Sequence, residues 1–206
     1  MYVNKKENRM KTNKYKVILS SNSPRRKELF AGLGIGFEVR VISGIDESYP
    51  PELPLSEVPL YIAKEKAAAY DIADGELVIT ADTVVIVGNE ILGKPSGEDE
   101  ARDMLRKLGG RTHEVTTGVC LTTCELQRSF AVTSEVTFKS LSDEEIDYYV
   151  RNYRPFDKAG AYGIQEWIGY IGVTSLRGSY FNVMGLPVQR IYEELRNTFG
   201  FGLGAE

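Results

Sequence analysis

Between the apolar run Lys16-Val17-Ile18-Leu19 and a helix-like stretch that begins at Pro24 lies a hydroxyl-rich turn, Ser20-Ser21-Asn22-Ser23, with Arg25 and Arg26 following directly. A strand that ends in serines and opens into a helix gathers free backbone N–H groups, hydroxyls and two guanidinium forks in one place. That is the chemistry of an anion site, most naturally for phosphate. Solvated first-turn arginines are the plain alternative, but cations there oppose the helix dipole, so the phosphate reading is preferred.

Asp82 stands inside Leu77 to Val87, a run that otherwise wants to be buried. A carboxylate there needs a cationic partner, a metal or several hydrogen bonds, and a catalytic role competes evenly with a salt bridge at a strand end on this residue alone. Lys94, in Gly93-Lys94-Pro95, and the acidic pair Asp46-Glu47 read by themselves as surface charge, although the pair suits a hard cation. Lys64 and Lys66 lie two positions apart on a helical stretch, so at most one points into a cleft. His113 is the single histidine; without a serine or cysteine motif around it, a hydrogen-bonding role at a strand end outweighs a triad role. In Asp157-Lys158-Ala159-Gly160-Ala161-Tyr162-Gly163-Ile164-Gln165 the small residues permit close backbone approach to a ligand, and the Gln165 amide is able to read a base edge.

These residues must be positioned by a strand over 16–19 and a helix from Pro24, with Ser23 as N-cap, Pro24 at the first helical position, Leu29, Phe30 and Leu33 as apolar stripe and Gly34 as stop. The stretch 61–70 reads as helix and 77–87 as a buried strand. A further helix is expected after a capping-box-like start at Ser96, with Ala101, Met104, Leu105 and Leu108 on one face and Gly109-Gly110 ending it. Strands over 113–123 and 129–139 suit a hairpin; Ser142 opens a helix through Val150, and a glycine-punctuated loop-and-strand region leads to a closing helix near 189–196. Interleaved helices and strands give an α/β class with a mixed sheet.

The chain has 206 residues, 42% of them hydrophobic, with 25 Lys+Arg against 29 Asp+Glu and a formal net charge of −4. It is long enough for one sizeable core, and no overall basic field exists to hold polymeric nucleic acid or an anionic membrane, so an anionic ligand must be held locally. Cys120 and Cys124 are too few for a disulfide framework and make a poor zinc site without nearby histidines, which fits a reducing cytoplasm. No run is long enough for a membrane span. Residues 1–14 are polar and basic without an apolar centre and read as a loose N-terminal extension to a single domain over 15–206.

Taken in order, Ser21-Asn22-Ser23-Pro24-Arg25-Arg26, Asp46-Glu47, Ala63-Lys64-Glu65-Lys66-Ala67, Ala81-Asp82-Thr83, Gly93-Lys94-Pro95, Gly110-Arg111-Thr112-His113, Asp157-Lys158-Ala159-Gly160 and Gly185-Leu186-Pro187 closely resemble the Maf family of nucleoside triphosphate pyrophosphatases. Each tripeptide is weak and the ordered set is strong; it spans Tyr15 to Leu195. The resemblance implies an elongated α/β fold with two lobes around a central cleft. It implies cleavage between the α- and β-phosphates of a nucleotide with a divalent metal, Mg²⁺ or Mn²⁺. It makes Asp82 the general base, Glu47 and Asp82 the carboxylates near the metal, and Ser21, Arg25, Arg26, Lys66 and Lys94 the surroundings of the triphosphate. Thr83 and Gln165 resemble the branch acting on dTTP and UTP, and a homodimer is common among members. The rival from another class is a nucleotide-binding regulatory protein of cell division or septum formation, which would share the phosphate site but would not need Asp82.

Overall fold

The computed structural model describes residues 14–202; the expected loose extension therefore lies outside the described residues except for Lys14, which is exposed. A seven-stranded mixed sheet forms the frame, comprising β1 (Lys16–Leu19), β2 (Glu38–Val39), β3 (Glu76–Val87), β4 (Glu90–Leu92), β5 (Thr112–Thr122), β6 (Gln127–Phe138) and β7 (Val173–Arg177). The strand order is β2-β1-β3-β5-β6-β7, with β4 also on β3. The helices are α1 (Pro24–Ala31), α2 (Val58–Ala68), α3 (Glu98–Leu108), α4 (Asp143–Tyr153), α5 (Trp167–Gly172), α6 (Tyr180–Val183) and α7 (Val188–Asn197), and Ala159–Ala161 is a short 3₁₀ turn.

The centre of the frame is β3. Apart from the half-buried Thr83 its β-branched residues bury almost completely, and β5 pairs along it in antiparallel register from Val78↔Thr122 to Ile86↔Glu114. Its other edge is shared. Parallel β1 pairs with residues 76–79 and antiparallel β4 with residues 85–87, so Thr80 to Val84 have no strand partner on that side. Asp82 and Thr83 fall in this gap, and the chain leaving β1 turns there into α1.

The core divides at the same place. Leu77, Ile79 and Ala81 join Val17, Leu19, Phe30, Ile191 and Leu195 in one apolar cluster, whereas Val85 and Val87 join Leu105, Phe138, Ile146, Tyr149 and Ile168 in another. Each fully buried Leu, Ile or Phe side chain contributes roughly 1.5–3 kcal/mol, so both halves of β3 are anchored firmly and its middle can hold polar groups. The lobes on either side leave a cleft at their seam.

Local signals explain most element ends. Ser23 Oγ accepts from the Arg26 N–H, Pro24 occupies the first turn of α1, and Ser142 with Glu145 closes a full capping box on α4. At α3 the N-cap is Gly97 and not Ser96; Ser96 instead donates from both its N–H and its hydroxyl to Glu100. α2 begins at Val58, three residues before the expected start, because Pro59 suits a first turn. The segment read as loop and strand between Gly160 and Gly185 also contains α5 and α6, and the short strands β2 and β4 carried no periodicity from which to read them.

Candidate active site

The cleft has a volume of about 340 Å³, at the lower end of the range for small-molecule sites. Arg25, Arg26, Lys66, Lys94 and Lys158 line it, and among the described residues the lining carboxylates are Asp82 and Asp157. A chain of net negative charge thus concentrates five cations in one concavity, the local arrangement an anionic ligand requires.

Asp82 reaches the cleft from the unpartnered stretch of β3. Lys66, the inward-facing member of the lysine pair on α2, places Nζ 2.8 Å from Asp82 Oδ1 and 2.8 Å from Glu47 Oε1. Burial alone would raise the Glu47 carboxyl, but the hydrogen bond and charge of Lys66, with Lys94 and Arg26 farther off, outweigh it and hold the group below its ordinary value. Among the described residues no protein group donates to Asp82 Oδ2. Two carboxylates converging on one cation suit a hard divalent ion in donor type. Among the described residues no cluster of three or more His, Cys, Asp and Glu side chains gathers, so phosphate oxygens and water must complete such an ion's shell.

The two arginines of α1 are used differently. Arg25 extends across the cleft mouth, donating from Nη1 to Asp157 Oδ2 at 2.6 Å and from Nη2 to the Asp157 carbonyl at 3.3 Å. Arg26 turns inward: Nε donates to the Gly185 carbonyl at 2.8 Å, Nη1 to the Ala81 carbonyl at 2.9 Å and Nη2 to Thr83 Oγ1 at 2.9 Å. Burial presses the Arg26 guanidinium below its ordinary pKa, while nearby Asp82 opposes that shift. Arg26 therefore braces the open stretch of β3 and has fewer N–H groups left for a ligand than Arg25.

Ser21 is buried behind this surface and does not line the cleft; its Oγ accepts from the Ser23 N–H at 3.2 Å. Lys94, Thr83 and Gln165 do line it. Thr83 Oγ1 shares a 2.9 Å hydrogen bond with Thr117 Oγ1 on β5, and the buried Gln165 Oε1 has no hydrogen-bond partner among the described residues. His113 makes the hydrogen bond expected of it: Nε2 lies 2.8 Å from Tyr162 Oη, and burial pushes its pKa down to about 4.

Lys158 and Asp157 carried no assigned role in the sequence reading, although both lie in a quoted motif. Lys158 is buried, with Nζ 2.7 Å from Asp157 Oδ1 and 3.1 Å from Glu166 Oε1. Burial would raise Asp157, yet its hydrogen bonds from Lys158 and Arg25 bring its pKa down to about 2. The signal available in sequence was an Asp-Lys pair followed by small residues, which is too common a pattern to single out.

The family model described as Maf-like protein matches residues 16–198. The chain belongs to the Maf family. Among the relatives of this Maf chain, one from Phocaeicola vulgatus, named dTTP/UTP pyrophosphatase, is 64% identical over 185 residues, covering 89% of this chain and 96% of its own length. Proteins of the same name from Bacteroides thetaiotaomicron and Porphyromonas gingivalis are 58% and 56% identical, covering 89% of this chain and 96% and 94% of their own lengths. A HAM1 protein from Coxiella burnetii overlays at a TM-score of 0.40 with 14% identity, over 60% of this chain and 73% of its own, too remote a likeness to carry weight.

Proposed function

We infer that this Maf chain is a nucleoside triphosphate pyrophosphatase that converts dTTP and UTP to the monophosphate and pyrophosphate. The observation that carries the reading is Asp82: a carboxylate at the seam of two apolar lobes, paired with Lys66 at 2.8 Å, faces a cleft lined by five cations. A protein that only binds nucleotides would need Asp82 solely to pair with Lys66 through Oδ1, whereas hydrolysis also uses Oδ2, to which no protein group donates among the described residues. The names of the relatives agree with the hydrolytic reading.

In the proposed mechanism Arg25, Lys94 and Lys158 hold the phosphate oxygens, and Arg26 keeps the Asp82–Thr83 stretch in place. Asp82 accepts the proton of a water whose oxygen bonds to the α-phosphorus, while Lys66 orients the carboxylate through Oδ1. The bridging bond breaks and pyrophosphate departs with the electron pair. A divalent cation, Mg²⁺ or Mn²⁺, held by Glu47 and Asp82 would neutralise charge on the non-bridging oxygens.

Gln165 is proposed to read the base. Its unpartnered Oε1 is an acceptor that the N3–H shared by thymine and uracil can meet; cytosine offers an acceptor at N3 and a donor only at its amino group, so Gln165 discriminates where its neighbours fix the amide's orientation. A buried acceptor left unpaired costs about 1–3 kcal/mol, which separates substrates by roughly 5- to 150-fold. A cytoplasmic location, where nucleoside triphosphates are abundant, and a homodimer belong to the same reading; among the described residues no helix is long and apolar enough to cross a membrane. Pyrophosphate release from dTTP, UTP, CTP and GTP, with and without chelator, tests it. Release from dTTP and UTP, lost on chelation and restored by Mg²⁺ or Mn²⁺, is expected, with Gln165→Ala narrowing the gap to CTP. A parent that binds dTTP without releasing pyrophosphate would instead support the regulatory alternative.

A further inference from the structure

Glu166 occupies a position where its residue type is unexpected. It is the N-cap of α5, a place that favours Ser, Thr, Asp or Asn, and its side chain makes no capping hydrogen bond. The carboxylate instead turns back toward the cleft wall. Oε1 lies 3.1 Å from Lys158 Nζ, and Oε2 accepts a hydrogen bond from the hydroxyl of the fully buried Tyr149. Tyr149 Oη accepts in turn from the Gly163 N–H at 3.0 Å. Space for this arrangement exists because residue 163 is glycine: a Cβ there would lie 2.9 Å from Glu166 Cδ and 3.1 Å from Lys158 Cε.

The contacts form one continuous chain. Tyr149 orients Glu166, Glu166 and Asp157 hold Lys158 from two sides, and Asp157 holds Arg25 across the cleft mouth. Glu166 is also fixed by its own backbone. Its N–H donates to the Gly163 carbonyl at 2.9 Å, closing the turn that carries Gln165, and its carbonyl accepts from Gly169 at 2.9 Å. One residue therefore bears on the cations at the phosphate end of the cleft and on the amide expected at its base end.

We propose that Glu166 is a positioning residue which, oriented by Tyr149, holds Lys158 in place to meet a phosphate group and fixes the turn that presents Gln165. The proposal rests on the reading of the cleft as a nucleotide site. Lys158 has four flexible methylenes, and a buried ammonium released by one of two carboxylates turns wholly to the other. Without the Glu166 charge, Lys158 closes on Asp157 and competes with Arg25 for it, so both cations meet the phosphates less well. Ground state and transition state lose this contact alike, which raises KM more than it lowers kcat.

The test is a double-mutant cycle on the full chain with Glu166→Gln, Lys158→Met and the double variant. Steady-state hydrolysis of dTTP is measured, together with binding of inorganic pyrophosphate followed by the fluorescence of Trp167, the single tryptophan and the residue next to Glu166. Expected are a KM for dTTP about tenfold higher in Glu166→Gln, kcat within about threefold of the parent, and a double variant no worse than Lys158→Met alone. A parent-like KM in Glu166→Gln, or losses that simply add in the double variant, would overturn the proposal. Should Glu166→Gln fail to fold, Tyr149→Phe keeps the carboxylate and removes its orienting hydroxyl; a raised KM supports the role and an unchanged KM refutes it. A parent that releases no pyrophosphate from dTTP defeats the nucleotide reading separately, and pyrophosphate binding then decides the role of Glu166 by the same comparisons.

Discussion

Gly118 on β5 stands directly opposite Asp82 on β3 in the antiparallel register. A Cβ at Gly118 would come within 2.3 Å of the Leu60 backbone nitrogen, so the missing side chain lets α2 lie against the sheet beside the carboxylate. The same helix carries Lys66, whose ammonium meets Asp82 at 2.8 Å. Close helix–sheet packing and the central ion pair of the cleft are thus one structural fact.

It follows that Gly118→Ala pushes α2 outward and loosens the Lys66–Asp82 pair. Overpacking of this kind costs about 1–3 kcal/mol. A lowered melting temperature is expected, with kcat reduced in the fraction that remains folded. Unchanged melting and unchanged kcat together would show that α2 does not set the position of Lys66.

Arg26 offers a sharper comparison because three protein acceptors are arranged around its fork. Lysine carries the charge but cannot reach the Gly185 carbonyl, the Ala81 carbonyl and Thr83 Oγ1 in fixed planar geometry. Arg26→Lys is therefore expected to lose nearly as much kcat/KM as Arg26→Ala. Arg25→Lys is expected to retain more activity than Arg25→Ala, because a charge at the cleft mouth is the larger part of its task. Full rescue by lysine at position 26 would return Arg26 to the role of a simple phosphate cation.

The buried His113 gives a pH dependence whose sign is fixed. Its folded pKa of about 4 lies below the ordinary histidine value of 6.5, so between these values the unfolded chain binds the extra proton. Stability from this group is fully present above about pH 6.5 and is lost as pH falls toward 4, by up to about 3 kcal/mol at 1.36 kcal/mol per pH unit. Denaturant unfolding at pH 7, 6, 5 and 4 should show a shallower acid loss in His113→Gln than in the parent. Equal slopes would mean that His113 is not the buried neutral group responsible.

Much of this arrangement is legible in the residues themselves. Ser23-Pro24 marks the start of α1, the β-branched run marks β3, and a charged residue inside that run marks the cleft. What the sequence cannot display is direction. Arg25 and Arg26 are adjacent and chemically identical, yet one spans the mouth while the other braces β3, because only the fold shows that residues 80–84 lack a strand partner. Ser21 belongs to the phosphate-like motif but faces away from the cleft, and its neighbour in sequence gives no sign of this. Glu166 and Lys158 are eight residues apart and meet across a turn where Gly163 leaves room for both side chains.

The central claim is that Asp82 performs chemistry in a site that other residues build for binding. Asp82→Asn keeps the shape of the side chain but can neither take a proton effectively nor hold a cation by charge. Pyrophosphate release from dTTP by the purified variant, measured alongside dTTP binding, tests the claim most directly. The account predicts a rate lower by about 10²–10⁴-fold with binding largely retained; release at the parent rate would contradict it.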